Sequence, residues 1–389
     1  MKSVPTLSDH HLDALLGRSM ATTQDWSVRD IDALAALARA FAELDRAGVP
    51  TPLCPHELAW ALFFDRSTRT KSAWAGAAAR LAMHPVIVDG STTQVAHGET
   101  AVETGAMLGM NAHAMGVRND QIIGEGNAFI RDVTRGIEEY LMATGDQRAV
   151  PVVNLQCDID HPTQSMADLL WLEDRFGDAG GLAGRKITIS WAYSPSYAKP
   201  LSVAQGLVSL LTRFGAEITL AHPPGYELMG DVMDAARSNA GERGGSLRVV
   251  DDMDEAFRDA DVVYPKSWGS HDVMADRIAA HAAGDERALG AIEQHGLEQN
   301  ARFNDWICDE RRMALTSDAL YMHCLPADIG AEVTPGVMER FKVEVAREAQ
   351  WKMYVIMAMI AGAKVPDLAS RLRKMSDDAA LGQLRKEPR

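Results

Sequence analysis

Three short stretches of this 389-residue chain place chemically capable side chains where an apolar run gives way to a turn. In the first, Phe63 and Phe64 lead through Asp65 and Arg66 into Ser67, Thr68, Arg69 and Thr70, at the start of a predicted helix. A helix start carries backbone N–H groups without intrahelical acceptors and the positive end of the macrodipole, which together suit an anion. Arg69 adds a planar fork matched to phosphate oxygens, and the hydroxyls can donate to the same group. The dipole supplies only about 0.3–1 kcal/mol, so the guanidinium and the N–H fan must carry most of any affinity. No GxxxxGK[ST] is present, so this is not a Walker loop. The plainer alternative is a capped helix with a surface arginine.

The second stretch follows the apolar run 151–155 and reads His161, Pro162, Thr163, Gln164. His161 can donate to a carbonyl oxygen, and the Gln164 amide oxygen can accept from an NH2 group. A carbamoyl group offers both. The alternative is a helix begun by proline, with His161 as its cap. The third stretch, His323, Cys324, Leu325, Pro326, ends another apolar run. Cys324 has no positioned base beside it in the sequence, so it reads as a small buried hydrophobe and not as a covalent nucleophile.

These stretches need a scaffold that presents strand ends. Apolar runs at 58–64, 85–89, 113–117 and 151–155 alternate with helical patterns near 70–82, 99–110 and 127–143, after helices over 8–17 and 27–48. After a helix near 164–177 the alternation resumes. It predicts strands over Lys186–Trp191, Glu217–Ala221, 247–250, 261–264 and 319–323, with a helix over Leu201–Phe214. Strands alternating with helices imply βαβ units and parallel sheets, so the fold class is α/β, in two doubly wound domains. Gly241 to Gly245 reads as a loop and 269–305 as a polar helical insertion. The last long helix is expected over 347–362, and the charged tail 371–389 is expected to fray.

The ordered set STRT, HPTQ and HCLP resembles the aspartate/ornithine carbamoyltransferase family over roughly residues 50–365. The resemblance implies two α/β domains joined by interdomain helices, with a carbamoyl phosphate-binding domain at 1–165, completed by the C-terminal 347–389, and an acceptor-binding domain at 166–346. It further implies a homotrimer that transfers the carbamoyl group of carbamoyl phosphate to an amine without a metal or organic cofactor. Matched to the family's motifs, Ser67, Thr68, Arg69 and Thr70 form the phosphate-binding turn. Arg118 stands at the end of the third strand, against carbamoyl and phosphate oxygens. His161 and Gln164 read the carbamoyl group, and Cys324 and Leu325 touch it and the acceptor. Lys352 falls near the ligand, Asn154 on the acceptor's α-carboxylate, and Gln94 or His97 on a mobile loop that reaches a neighbouring subunit. For Arg118 the alternative is a structural ion pair with Asp120 or Glu125.

Departures from the family bear on the acceptor. Ornithine enzymes carry an Asp, then Ser-Met-Gly, where this chain has Lys266, Ser267, Trp268 and Gly269. A lysine repels an ammonium and attracts a carboxylate, so the acceptor is expected to differ from plain L-ornithine and to bear a carboxylate near Lys266, with Trp268 lining it. The lysine resembles that of the acetylornithine type; the alternative is a surface lysine. Ala327 replaces the usual arginine after HCLP. Together, AHGET, NLQCDIDHPTQ, WAYSPSYAKP and VYPKSW resemble the knotted catabolic carbamoyltransferases of unassigned acceptor, which implies a knot through Ser194 to Pro200 and a catabolic role.

Composition narrows the partners. With Lys plus Arg at 39 and Asp plus Glu at 54, the net charge of -15 disfavours nucleic acid and anionic membranes. The four cysteines, Cys54, Cys157, Cys308 and Cys324, form no CxxC pair, so neither a metal site nor a disulfide framework is expected. The stretch from Met1 to Asp30 has no apolar run of signal-peptide type, and a cytoplasmic protein is expected. A nucleotide-dependent dehydrogenase is set aside because Trp191 to Ser202 contains no GxGxxG. A non-catalytic binding protein of the same fold is the other class, and the complete motif set speaks against it.

Overall fold

The computed structural model describes residues 7–384 apart from 178, 197 and 198. They form two compact units, Met1–Asn119, Asn127–Gln156 and Gln350–Arg389 in one, Asp120–Gly126 and Cys157–Ala349 in the other. His161 and Gln164 therefore belong with the second unit, whereas the expected boundary lay at 165.

The first unit opens with α1 (Asp9–Asp13) and α2 (Val28–Arg46). Ser27 starts α2 through a capping box with Asp30, and Ile31, Leu34, Leu37, Ala38 and Phe41 keep one face buried. There follow β1 (Leu58–Phe63), α3 (Arg69–Arg80), β2 (His84–Asp89), α4 (Ala101–Gly109), β3 (Ala114–Asn119), α5 (Gly126–Thr144) and β4 (Val152–Cys157). The four strands lie in the order β2-β1-β3-β4. Pairing of β1 with both β2 and β3 is parallel. Helices α4 and α5 approach backbone to backbone, because a Cβ on Gly136 would lie 2.0 Å from the Val102 carbonyl oxygen and one on Gly105 2.2 Å from that of Val133.

The second unit runs through α6 (Pro162–Phe176), β5 (Lys186–Trp191), α7 (Ser202–Leu211), β6 (Glu217–Ala221), α8 (Gly230–Arg243), β7 (Ser246–Val250), α9 (Met253–Phe257) and β8 (Val262–Lys266). Then come α10 (His271–Ala282), α11 (Glu286–Asn300), α12 (Glu310–Met313), β9 (Leu320–Tyr321) and the long α13 (Pro335–Lys364). Its five strands lie in the order β7-β6-β5-β8-β9, and every neighbouring pair is parallel.

Each sheet starts at an inner strand, grows to one side, then returns to grow on the other. Adjacent inner strands, β1 with β3 and β5 with β8, thus send their following loops to opposite faces and leave a crevice at their carboxyl ends, where open α/β sheets bind ligands. The register puts Phe63 beside Arg118 in the first sheet and Trp191 beside Lys266 in the second.

The structure departs from several expectations. Helix α1 ends at Asp13, well short of 17. The expected 319–323 strand is a two-residue β9, after which the chain turns to place His323 and Cys324. The Gly241–Gly245 loop is mostly helix, since α8 continues to Arg243 and only Gly244, at φ 72, makes the left-handed exit. The last long helix begins twelve residues earlier than expected, at Pro335. The tail is helical as far as Leu384, with 385–389 outside the described residues: α14 (Leu368–Leu384) buries Leu368, Leu372 and Ser376, a four-residue spacing hidden among charges, and Arg373 Nη1 donates to the Leu7 carbonyl at 2.7 Å. The expected knot rests on Ser194 to Pro200, of which residues 197 and 198 lie outside the described residues.

Candidate active site

In the first unit, β1 delivers the chain into the bend at 65–68 and α3 begins at Arg69. Thr68 is the N-cap residue, but its side chain makes no capping hydrogen bond, so the simple capped-helix alternative does not describe this turn. Thr70 is buried in the first helical turn, whereas Thr68 is exposed. Arg118, one strand over, reaches the bend: its Nη1 is 3.5 Å from Ser67 Oγ and its Nη2 3.4 Å from Asp65 Oδ2. The Phe64 amide donates to the Arg118 carbonyl at 2.9 Å, which locks the two chain segments together. Arg118 pairs with Asp65, and Glu125, one of the alternative partners, lies 3.2 Å from His281 Nδ1. Contacts of 3.4–3.5 Å are long for charged hydrogen bonds, which normally close to about 2.7–2.9 Å. The guanidinium is thus near the bend without being saturated by it.

Other expected residues of this unit are placed as follows. Asn154 is fully buried in β4, and its Nδ2 donates to the Ala21 carbonyl at 2.6 Å, tying the N-terminal segment to the sheet. Lys352 is buried in α13. Gln94 and His97 are exposed on a 3-10 turn, Gln94–His97, just before the capping box of Thr100 and Glu103 that starts α4.

In the second unit, His161 is the N-cap residue of α6 and is buried. Its ring caps nothing, so the capping alternative fails here too; Nδ1 lies 3.3 Å from Thr163 Oγ1. Which of the two donates depends on the imidazole tautomer; a hydroxyl donating to Nδ1 would put the ring proton on Nε2. Gln164 is also buried; its Nε2 donates to Asp168 Oδ1 at 2.7 Å, while Oε1, itself buried, has no hydrogen-bond partner among the described residues. An unsatisfied buried acceptor costs about 1–3 kcal/mol, and such groups concentrate where a ligand completes them.

The segment after β9 carries Cys324, buried, and Leu325, which adopts φ 54 and precedes a cis bond to Pro326. A left-handed leucine costs roughly 1–3 kcal/mol and persists only where its surroundings impose it. Here the Leu325 amide donates to His323 Nδ1 at 2.8 Å. Burial comes first in holding the His323 imidazole below its usual range, and Glu332, 3.5 Å from Nε2, opposes that shift.

Lys266 ends β8 with only 6% of its surface exposed, which removes the surface-lysine alternative. Its Nζ donates to the Ser267 carbonyl at 2.6 Å. Burial, with Lys199 adding to it, depresses the ammonium's pKa, against the nearby Cys324, Glu332 and Asp328. Trp268 is wholly buried; its indole N–H donates to the Tyr226 carbonyl at 2.8 Å and its carbonyl receives Trp191 Nε1 at 2.9 Å, so it builds the wall beside Lys266.

Sequence reading missed the carboxylates that organise this unit. Glu332, fully buried, accepts from Lys199 Nζ at 2.8 Å and from the amides of Ser267 at 2.7 Å and Asp328 at 2.8 Å. Burial alone would raise its pKa; His323, Lys199 and Lys266 outweigh that and hold it below the carboxylate range. Asp328 accepts from Lys199 Nζ at 2.9 Å and Ser194 Oγ at 2.5 Å. Asp168 was findable, since it lies four residues after Gln164 on one helix face. Glu332 sits in a loop and carries no such periodicity. Among the described residues no group of His, Cys, Asp or Glu could hold a metal ion, and no helix is long and apolar enough to cross a membrane. The buried thiols of Cys54 and Cys157, neither in a disulfide, are pushed up to about 12, mainly by burial.

Two family profiles cover most of the chain: the carbamoyl-P binding domain of aspartate/ornithine carbamoyltransferase matches residues 18–174, and its Asp/Orn binding domain matches 198–362. This chain belongs to the aspartate/ornithine carbamoyltransferase family. Across the family it is similar to YgeW of Escherichia coli (strain K12), a protein provisionally named a carbamoyltransferase, with 44% identity covering 97% of each chain. It is 32% identical to the N-acetylornithine carbamoyltransferase of Xanthomonas campestris, over 88% of this chain and 98% of that one. Among solved structures, acetylornithine transcarbamylase complexed with acetylcitrulline superimposes with a TM-score of 0.70 at 28% identity, covering 88% of this chain and 98% of that one. A variant of N-acetyl-L-ornithine transcarbamylase complexed with carbamyl phosphate and N-succinyl-L-norvaline gives 0.72 at 28% identity, covering 89% and 99%. The protein is a carbamoyltransferase, and its two parallel sheets are those of the carbamoyltransferase fold.

Proposed function

We propose that this carbamoyltransferase moves the carbamoyl group of carbamoyl phosphate to the amine of a small, carboxylate-bearing acceptor other than plain L-ornithine. The observation that carries the reading is the register of β1 and β3, which brings Arg118 to the serine-threonine-arginine-threonine bend at a switch point. In this reading the bend amides, Ser67, Thr68 and Arg69 hold the phosphoryl group. Thr70, Arg118 and His161 donate to the carbamoyl oxygen as charge develops on it. Gln164 Oε1 accepts from the carbamoyl NH2, beside Cys324 and Leu325, and Lys352 adds positive charge. The neutral amine attacks the carbamoyl carbon, the C–O bond to phosphate breaks, and the amine's proton is lost as phosphate departs. Holding both substrates in line removes much of the entropic barrier.

The first unit is the donor-binding domain in this reading and the second binds the acceptor. Lys266, at the switch point of the second sheet, meets the acceptor carboxylate, and the arriving charge restores the ammonium that burial disfavours. Gln94 and His97, exposed in this chain, serve a neighbouring subunit of a homotrimer, and the role is catabolic and cytoplasmic.

The test is a panel of amines, including ornithine, N-acylated ornithines and short diamino acids, assayed for ureido products with the wild type and Lys266→Asp. The substitution is expected to lower turnover of the preferred carboxylate-bearing amine at least tenfold, since it exchanges attraction for repulsion in a buried site. An unchanged order of preference would remove Lys266 from acceptor choice, and absence of product with every amine would remove the transfer reading.

A further inference from the structure

We propose that Asp168 is a positioning residue for donor recognition: with Tyr264 and Glu348 it locks the Gln164 amide with its oxygen turned toward the carbamoyl NH2. The inference rests on the proposed use of carbamoyl phosphate and deepens it. An amide presents an acceptor and a donor of nearly equal size, and a half-turn about its last bond exchanges them. A glutamine free to turn would meet the carbamoyl NH2 with its own NH2 half of the time. Something must therefore fix its sense.

Asp168 can do so because an ionised carboxylate only accepts. Its Oδ1 takes Gln164 Nε2 at 2.7 Å, a distance typical of a charge-assisted bond, so the flipped amide would set oxygen against oxygen. The pair sits four residues apart on α6, on one face of the helix. Two further groups keep the charge on Asp168. Tyr264 Oη donates to Oδ2 at 3.3 Å from the middle of β8. Glu348, fully buried, hydrogen-bonds Asp168, and burial together with that neighbouring charge raises its pKa well above the ordinary carboxyl range. Glu348 Oε1 lies 3.5 Å from Gln164 Nε2, and Oε2 accepts the His323 amide at 3.2 Å, which links the lock to the segment bearing Cys324 and Leu325. Every atom around the Gln164 amide thus favours one sense, and that sense leaves Oε1 buried and unpartnered among the described residues.

A network with only a structural purpose would staple α6 to α13 and to the 323–325 segment without affecting which anion binds. The full chain can distinguish the two by calorimetric titration with freshly dissolved carbamoyl phosphate and, separately, inorganic phosphate. The ratio of the two affinities is the readout, and a general loss of folded protein does not move it. In Asp168→Asn the amide sense is no longer dictated, and the preference for carbamoyl phosphate is expected to fall about tenfold or more while phosphate affinity stays within about twofold. Glu348→Gln replaces a protonated acid by its neutral isostere and is expected to keep the preference within about threefold. Should Asp168→Asn fail to fold, Tyr264→Phe takes its place, with an expected loss of preference of about threefold. A wild-type preference retained in Asp168→Asn or, where that is unfolded, in Tyr264→Phe overturns the inference, as does an equal loss in Glu348→Gln. A wild type that binds phosphate but not carbamoyl phosphate overturns the functional reading as well, which sets that failure apart.

Discussion

Arg118→Met is expected to lower turnover of carbamoyl phosphate by about 10²–10³-fold with little change in thermal stability. The magnitude is that of removing one preorganised donor from a developing oxyanion, about 2.7–4 kcal/mol of barrier. The geometry explains why stability should be spared. The contacts of Arg118 with Ser67 and Asp65 are 3.4–3.5 Å long, and hydrogen bonds of that length are weak. The fold of the bend is held instead by backbone bonds such as Phe64 N–H to the Arg118 carbonyl, which the substitution leaves in place. Initial-rate assays with the best acceptor of the panel, beside a thermal melt, check both halves. A large fall in melting temperature with unchanged kcat would mean that Arg118 is a structural ion-pair residue after all.

Glu332→Leu should show the opposite pattern, with a stability loss of about 3–5 kcal/mol, measured as a shift in the denaturant midpoint near neutral pH. Removing one partner of a buried ion pair leaves the other's charge less compensated, and Lys199, 2% exposed, would lose Glu332 while keeping Asp328. The Ser267 and Asp328 amides lose their acceptor in the same step, at about 1–3 kcal/mol for each group left unpaired. For that reason the double variant Lys199→Met/Glu332→Leu is expected to recover only part of the loss. The pH dependence has a definite sign. A carboxyl held below its ordinary range is stabilising when ionised, so this contribution is present above the ordinary carboxylate pKa of about 4.3 and is lost as acid protonates Glu332. Glu332→Leu should therefore be less sensitive to acid than the wild type. Equal midpoints at neutral pH would contradict the account of Glu332 as the hub of the second unit.

The parallel sheets were legible because short strand-like runs, the apolar Leu58–Phe63 in one sheet and the alternating Lys186–Trp191 in the other, are separated by helices of ordinary period. Beta-alpha alternation then leaves few topologies. The helical tail was not legible: Leu368, Leu372 and Ser376 bury a narrow stripe on a helix whose other positions are mostly charged or small, and composition outweighs spacing in such a segment. The bend at 67–70 and the pair His161 and Gln164 could be singled out because strand-to-helix junctions with donors are few. Lys266 could be flagged by its charge, but its burial, at a strand end in register with Trp191 of the neighbouring strand, is a long-range consequence that local sequence does not encode. Glu332, Lys199 and Glu348 were invisible for a related reason. The side-chain partners that mark them, such as Lys199 for Glu332 and Gln164 for Glu348, lie 133 and 184 residues away in sequence.

The account stands most directly on what the serine-threonine-arginine-threonine bend holds. Crystals of the full chain soaked in carbamoyl phosphate should place its phosphoryl group at the first turn of α3, with oxygens about 2.7–3.2 Å from the bend amides and the Arg69 guanidinium. An anion bound elsewhere in the molecule while that turn stays empty would contradict it.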